Sequence, residues 1–309
     1  MTEILSTTYN KKSRRTNAQI EQLDQQILDV LRADHPQSVR HVFYRMTDPR
    51  LPEPVEKSDR GYRHVQHRIT QMRRQGRLPY GWITDATRRG YFTATFRSSA
   101  DFLRSHIGYY RADLWRSARV LVEVWAESRS IAGVIEDDCE ELAVSLYPAG
   151  GFSSITFTYD AAGNINQETQ NGQIPAHVIY IGDFDPAGVL IDQALERELR
   201  EHLHPDVSLT FERMAITENQ IVALDLPSKP RKATDKRALH VKETVEAEAM
   251  PAGILRQMLR RRIESFLPQG ALDVARVAEE DERRALNVWA HLMDRYDPKE
   301  VAEFIGDAP

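Results

Sequence analysis

The sequence predicts a mixed α/β protein in which a helical N-terminal domain precedes an α/β domain with a parallel sheet. Within residues 17–75, apolar residues recur at steps of three and four, as in amphipathic helices. From residue 118 onward, short continuous apolar runs alternate with helical patterns, as expected for parallel strands covered by helices. A length of 309 residues also suits two domains of roughly 150 residues each.

Composition and charge narrow the classes of protein to consider. The chain has no run of about 20 apolar residues and no apolar leader, so we expect no membrane contact and a cytoplasmic location. One cysteine, Cys139, excludes an intramolecular disulfide. Lysines and arginines outnumber acids by 21 to 12 over 1–116 (net +9), whereas acids outnumber them by 34 to 20 over 117–309 (net −14). This asymmetry suggests a polyanion-binding module joined to a domain that uses carboxylates, although two oppositely charged surfaces docking on each other explain it equally well.

The N-terminal elements follow the order of a winged-helix domain. Residues 1–16 are polar and basic, and we expect a flexible tail there. Helices are predicted from residue 17 to the His35-Pro36 break, over SVRHVFYRM after the Ser38 cap, and over 58–75. The next stretch, RLPYGWITDATRRGYFT, is predicted to form two short strands. Three helices followed by a strand pair over 17–97 match the winged-helix variant of helix-turn-helix.

Residues 98–117 are predicted to form a connecting helix and linker to a Rossmann-like α/β domain over 118–309. The strands of that domain are predicted at ARVLVEVWA, GFSSITFTY, HVIYIGDF and SLTFERMA. Its helices are predicted at SIAGVIEDDCEELAVSLY and PAGVLIDQALERELREHL. From about residue 251 the chain is expected to form a helical extension, with ILRQMLRRRIESFL and RVAEEDERRALNVWAHLMDRY as its helices.

The most specific local motif is GDFDPAG at 182–188. Asp183 and Asp185 follow a buried strand and are two residues apart, so both point to one side of the carboxyl edge of the sheet. Two close carboxylates repel each other, and a divalent cation relieves that repulsion. Glu127, at the end of another predicted strand, reaches the same edge and completes an oxygen donor set suited to Mg²⁺, with Mn²⁺ as a substitute. The alternative is that Asp185 caps a helix and the other two carboxylates are solvated.

Tyr44, in RHVFYRM, is a candidate nucleophile. A phenol can attack a phosphodiester and hold the cleaved end as an ester. Arg40 lies one helical turn earlier on the same face and Arg45 is adjacent, so either guanidinium could orient or stabilise the phosphate. The alternative is that Tyr44 is a packing residue of a DNA-binding helix.

Basic side chains of the third predicted helix are candidate contacts to the DNA backbone. These side chains are Arg63, Arg68, Arg73 and Arg74. Lys232 and Lys236, in LPSKPRKATDKRA, are candidate contacts in the second domain. Contacts of this kind are mostly independent of base sequence and sensitive to salt.

Together these motifs resemble the family of the topoisomerase VI A subunit and the meiotic double-strand-break protein. The R-x-x-x-Y helix, the strand ending in glutamate and the D-x-D-P-x-G turn occur in the order of that family. FYRM, GYRHVQHRITQMRRQGRLPYGWITDATR and LPSKPRKATDKRA are similar to its short stand-alone members, topo mini-A. The resemblance covers about residues 20–270 and implies a 5Y-CAP-like winged-helix domain followed by a Toprim domain. Phe43 stands where the family has a tyrosine, and the nucleophile maps onto Tyr44.

The resemblance implies a Mg²⁺-dependent, type IIB topoisomerase-like isomerase that cleaves double-stranded DNA. Tyr44, assisted by Arg40, would form a 5′-phosphotyrosyl link, and Glu127, Asp183 and Asp185 would hold the metal. In this family the tyrosine of one protomer works with the metal site of the other, so a homodimer associated with the nucleoid is expected. The sequence shows no ATPase segment, so ATP-driven strand passage would require a GHKL-type ATPase B subunit in trans.

Two alternative functions remain open at this stage. A Toprim nuclease would hydrolyse DNA with metal-activated water and would not use the tyrosine. A non-catalytic DNA-binding or assembly module would carry the same residues without using them. Covalent attachment of the protein to cut DNA distinguishes the transesterase from both alternatives.

Overall fold

A computed structural model describes residues 15–84, 93–150, 155–231, 237–238 and 240–295 of the chain. The fold is mixed α/β, as predicted, and it divides into two compact units between Thr84 and Asp85. Within the described ranges, every helix is too short or too polar to cross a membrane. The predicted basic tail falls almost entirely in residues 1–14, outside the described ranges.

The first unit contains three helices close to their predicted positions. They are α1 (Asn17–Ala33), α2 (Val39–Met46) and α3 (Asp59–Arg74). The hydroxyl oxygens of Ser38 and Ser58 accept backbone N–H groups at the starts of α2 and α3, which fixes where each helix begins. One apolar face of each helix is buried, and these faces form the core of the unit.

The stretch after α3 differs from the predicted strand pair in its described part. Tyr80–Trp82 form a single 3₁₀ turn, and Ile83 makes an isolated parallel bridge to Gln37. Residues 85–92, where the second predicted strand falls, lie outside the described ranges. The described residues of the first unit therefore show three α-helices, one 3₁₀ turn and one isolated bridge.

The segment predicted to connect the domains packs within the second unit. It contains α4 (Ser99–His106) and a 3₁₀ turn at Ile107–Tyr109. Arg104 of α4 donates to the carbonyl oxygen of Ala290, 3.3 Å away, in α10 (Ala271–Arg295). This hydrogen bond ties the start of the second unit to its last described helix.

The second unit is built on a parallel sheet of four strands in the order β2-β1-β3-β4. The strands are β1 (Leu121–Ala126), β2 (Ser145–Pro148), β3 (Ala176–Ile181) and β4 (Leu209–Ala215). β1 and β3 are buried almost throughout, as their continuous apolar runs require in a sheet covered on both faces. The predictions of β1, β3 and β4 are confirmed.

The described residues of the second unit also contain five further helices and a short strand pair. The helices are α5 (Arg129–Glu141), α6 (Ile155–Glu168), α7 (Gly188–His202), α8 (Glu218–Ala223) and α9 (Ala252–Glu264). A short antiparallel pair joins β5 (Lys229–Pro230) to β6 (Glu243–Thr244). The helical extension predicted from about residue 251 is confirmed by α9 and α10.

Two sequence predictions in this unit are wrong. The described part of GFSSITFTY, residues 155–159, belongs to helix α6. Thr158, Ala162 and Ile165 are buried on one side of α6, so the β-branched residues there serve a helical face. The predicted helix through SLY instead ends at Glu141, and Ala143 takes a positive φ of 51° before β2 begins.

Candidate active site

The carboxyl ends of β1 and β3 bring Glu127 and Asp183 together. The two strands pair with Ala126 opposite Ile181, so the residues that follow lie at the same edge of the sheet. Oε2 of Glu127 accepts the backbone N–H of Asp183 at 2.8 Å and the hydroxyl of Tyr180 at 3.3 Å. The Glu127 carboxylate is therefore fixed directly over the end of β3.

Gly182 makes this close approach possible. A Cβ atom at position 182 would lie 2.6 Å from Oε2 of Glu127 and 2.6 Å from the hydroxyl oxygen of Tyr180. Both distances are well below ordinary van der Waals separation. The site therefore needs glycine because of space and not because of an unusual backbone conformation.

Asp183 is a carboxylate in unfavourable surroundings for a negative charge. Its Oδ1 accepts the backbone N–H of Ala247 at 2.8 Å. Burial, followed by the charges of Glu127 and Glu248, raises the pKa of Asp183 to about 8, against the effect of the Ala247 hydrogen bond. At neutral pH this group therefore favours a proton or a bound cation.

Asp185 performs the capping role that was considered as an alternative. Its Oδ1 accepts the N–H groups of Ala187 at 2.8 Å and Gly188 at 2.6 Å, at the start of α7. The pKa of Glu127 is raised first by burial, while the Asp183 N–H lowers it and the charge of Asp185 raises it further. Asp185 thus caps a helix and also contributes charge to the acidic edge.

Arg213, on β4, holds the loop that carries these acids. Its guanidinium donates to the carbonyl oxygens of Gly182 at 3.2 Å, Asp183 at 3.1 Å and Gly188 at 2.7 Å. It also pairs with Asp192 of α7 at 2.5 Å. The sequence analysis missed Arg213, whose only signal was an arginine inside a predicted apolar strand.

The donor chemistry of this edge fits a hard divalent cation. Carboxylate oxygens are the ligands that Mg²⁺ prefers, and a cation would relieve the repulsion that raises the pKa of Asp183. Among the described residues, however, no three His, Cys, Asp or Glu side chains are gathered as a ready set of metal ligands. Oxygens of Asp183 and Asp185 instead accept backbone N–H groups, with which a cation would compete.

Tyr44 lies on α2 in the first unit and is buried, with 3% of its surface exposed. Its ring packs beside Phe43 at 5.3 Å between ring centres. The ammonium group of Lys57 lies 5.5 Å from the centre of the Tyr44 ring, a neighbour that the sequence analysis missed. Arg40 is exposed, with its guanidinium 5.4 Å from the centre of the Tyr62 ring.

Arg68, predicted as a DNA contact, has a structural role in the first unit. It donates two hydrogen bonds, of 2.8 and 2.7 Å, to the two carboxylate oxygens of Asp24 on α1. Asp24 is fully buried and also accepts a bond from Arg77 at 3.0 Å. A buried carboxylate needs a cationic partner, and the Arg68 guanidinium fills that role for Asp24. It is therefore engaged within the first unit and does not point to a DNA phosphate.

The other predicted DNA contacts are found in varied surroundings. Arg63 and Arg74 are exposed on α3. Arg73 donates to the carbonyl oxygen of Tyr80 at 2.9 Å, and its guanidinium lies over the Tyr80 ring. Arg45 is partly buried, and this burial lowers its pKa. Lys232 and Lys236 lie outside the described residues.

The chain matches no protein-family model, no curated protein and no solved structure.

Proposed function

We propose that the protein is a Mg²⁺-dependent DNA-cleaving enzyme of the topoisomerase VI A type, with a winged-helix domain and a Toprim domain. The observation that carries this proposal is the acidic edge, where Glu127 binds the Asp183 backbone and Asp183 has a pKa of about 8. Ligands of α/β folds bind at the carboxyl ends of the parallel strands, which is where these acids lie.

Glu127, Asp183 and Asp185 would hold Mg²⁺ or, as a substitute, Mn²⁺. The bound ion would supply positive charge against the charge that develops on the scissile phosphate. Arg213 keeps the loop of Asp183 in place through the carbonyl oxygens on either side of it. Glu248, buried and close enough to raise the pKa of Asp183, adds negative charge that favours a cation.

Tyr44 would carry out the transesterification. Its phenolic oxygen attacks a backbone phosphorus, the bond from phosphorus to the 3′ oxygen breaks, and the 3′-hydroxyl leaves with a proton. The protein then retains the 5′-phosphate as a tyrosyl ester. The ammonium group of Lys57 lies 5.5 Å from the centre of the Tyr44 ring, and the exposed Arg40 would orient the phosphate. Because Tyr44 is buried, the attack requires a movement that exposes it.

The proposal includes partners for this chain. Each chain would supply one attacking tyrosine, Tyr44, and each attack cuts one strand. A homodimer is therefore needed to cut double-stranded DNA. Strand passage would further need a GHKL-type ATPase B subunit in trans.

Burial of Tyr44 favours a second candidate function, a hydrolytic Toprim nuclease. In that reaction the acidic edge acts through metal-activated water, and no residue of the first unit attacks the phosphate. The two candidates predict different products, because only transesterification leaves protein attached to the cut end.

The test is to incubate supercoiled plasmid with purified protein and Mg²⁺ or Mn²⁺, stop the reaction with detergent, and run it with and without proteinase. We expect linear or nicked DNA with covalently attached protein, lost in both Tyr44→Phe and Asp183→Asn. Tyr109→Phe and Asp206→Asn, which alter exposed side chains outside the acidic edge, serve as matched controls and should cut normally.

The other outcomes are equally informative. Cutting that survives Tyr44→Phe and is lost in Asp183→Asn would establish the hydrolytic nuclease. Cutting that survives both changes would contradict both enzymatic proposals. If wild-type protein binds DNA and cuts none with either metal or with a B subunit, the non-catalytic module is the correct function.

A further inference from the structure

Tyr80 is an exposed aromatic residue that follows the basic helix α3 closely along the chain. It begins the 3₁₀ turn Tyr80–Trp82 and is 62% exposed. The neighbouring Trp82 differs, because its ring stacks on His35 with 4.6 Å between the ring centres. Trp82 therefore packs within the first unit, whereas packing does not account for an aromatic side chain at position 80.

Arg73 of α3 holds the Tyr80 side chain in place. The carbon at the centre of its guanidinium lies 4.4 Å from the centre of the Tyr80 ring, and the same guanidinium donates to the carbonyl oxygen of Tyr80 at 2.9 Å. The turn is also anchored by Ile83, which makes the parallel bridge to Gln37. Because the ring is already ordered, a flat group that stacks on it would immobilise little that is free.

The surroundings of the ring suit a polyanion that carries flat groups. Residues 58–84 contain six arginines and one aspartate, a net charge of +5. In the part of the chain that the structure describes, no carboxylate pairs with Arg73, and the adjacent Arg74 is exposed. A Cβ atom at position 81 would meet no atom within 4 Å, so the backbone next to Tyr80 is accessible as well.

We propose that Tyr80, backed by the Arg73 guanidinium, stacks on an unpaired base of bound DNA. Every base has a flat π face, and stacking on an aromatic side chain depends little on which base it is. Within a regular duplex both faces of each base are already stacked, so this contact favours DNA in which a base has left the stack. The positive charge of α3 selects a nucleic acid over an apolar protein partner, because the phosphates flanking the base would lie among its arginines.

This inference deepens the proposed function and rests on it, because it takes the first unit to bind DNA. It names the DNA that the unit binds best, which is DNA with a base drawn out of the helix. Side chains that contact unstacked bases hold DNA in a kinked form, and Tyr80 would do so beside the basic helix. Binding is measured in EDTA, without cleavage, so that a failure of stacking and a failure of cleavage are told apart.

The experiment compares two labelled duplexes that differ by a single base. One contains a one-nucleotide bulge, and the other contains an abasic nucleotide at the same bulge, so that the backbones are matched. Fluorescence anisotropy with the full-length protein gives both dissociation constants. We expect wild-type protein to bind the bulge that carries a base about 5- to 100-fold more tightly, the range for stacking one base on an aromatic side chain.

Variants of Tyr80 separate stacking from simple apolar contact. Tyr80→Leu keeps an apolar side chain without an aromatic face and should bind the two duplexes equally, whereas Tyr80→Trp should keep the preference. Tyr159→Leu is the matched control, since Tyr159 is also 62% exposed, on α6 of the second unit, and should leave the preference unchanged.

The outcomes divide between the inference and the proposed function. Equal binding of both duplexes by wild-type protein, or a preference that survives Tyr80→Leu, would overturn the inference. Equal loss of the preference in Tyr80→Leu and Tyr159→Leu would overturn it too. Binding to neither duplex would contradict the proposed function together with the inference. A preference for the bulged base in a protein that cuts no DNA would count against cleavage and leave the stacking contact standing.

Discussion

The acidic edge depends on the absence of a single methyl group at Gly182. In Gly182→Ala the new Cβ would meet Oε2 of Glu127 and the hydroxyl of Tyr180, both at 2.6 Å. We expect Glu127 to be displaced, cleavage to be lost, and stability to fall by about 1–3 kcal/mol, as for overpacked cores. Urea unfolding and the plasmid assay check this. Gly163→Ala, with open space around position 163 of α6, is the control, and equal effects at both positions would contradict the steric argument.

The raised pKa of Asp183 predicts a pH dependence of stability. The folded protein holds this proton up to about pH 8, whereas the unfolded chain releases it near the ordinary, much lower pKa of an aspartate. The free energy of unfolding contributed by this group therefore falls as pH rises from about 4 to about 8. Asp183→Asn, which cannot titrate, should become more stable relative to wild type over that range, as measured by urea unfolding at several pH values.

Mg²⁺ provides the companion measurement for Asp183. Added Mg²⁺ should stabilise wild-type protein more at pH 8 than at pH 6, because the proton competes with the ion for the carboxylate, and it should not stabilise Asp183→Asn. Parallel pH profiles for wild type and variant would show that Asp183 is not the titrating group.

The sequence predicted the meeting of Glu127 with Asp183 because each residue comes within two positions of the end of an apolar strand. The position of a residue after a strand is local information, and parallel pairing then brings such residues to one edge. Glu248, Arg213 and Lys57 were not predicted. Each approaches its site from a distant part of the chain, and nothing in the local pattern announces a long-range contact.

At the scale of elements, α1 and α3 are joined by a buried ion pair. Arg68→Ala would leave Asp24 with Arg77, at 3.0 Å, as its cationic partner among the described residues, and we expect the free energy of unfolding to fall by about 3 kcal/mol. Arg63→Ala, on the exposed face of α3, should change stability by less than about 0.5 kcal/mol. Urea unfolding compares the two variants. Equal stability would show that Arg68 is free to contact DNA, as first expected.

The two mispredicted elements, α6 and β2, have different physical causes. In α6 the aromatic and β-branched residues Phe157 and Thr158 raised the strand preference, yet tertiary packing favoured a helix with one buried face. Strand β2 is only four residues long and lies at the edge of the sheet, so its partly exposed SLYP carries no continuous apolar run. Strand β3, which is longer and buried on both faces, does carry a continuous apolar run and was therefore predicted correctly.

At the scale of the whole chain, the basic first third should dominate binding to DNA. Replacing the exposed Arg63 and Arg74 with alanine should reduce the slope of log affinity against log salt by about 2, at roughly 0.9 per phosphate contact. Replacing the exposed Arg197 and Arg261 of the acidic part should leave the slope unchanged. Fluorescence anisotropy with a duplex at several salt concentrations measures both slopes, and equal slopes in the two double variants would contradict the assignment.

Burial of Tyr44 has a consequence for the cell that contains the protein. A broken chromosome is toxic, and under the proposed function the attacking phenol is shielded at 3% exposure until the protein moves. The frequency of breakage then depends on how often the protein opens, as well as on the chemistry at the phosphate. Selection can adjust how often DNA is cut by changing the packing around α2, while the reacting groups stay the same. Under the proposed function, a cell could therefore contain many copies of the protein without frequent DNA cleavage.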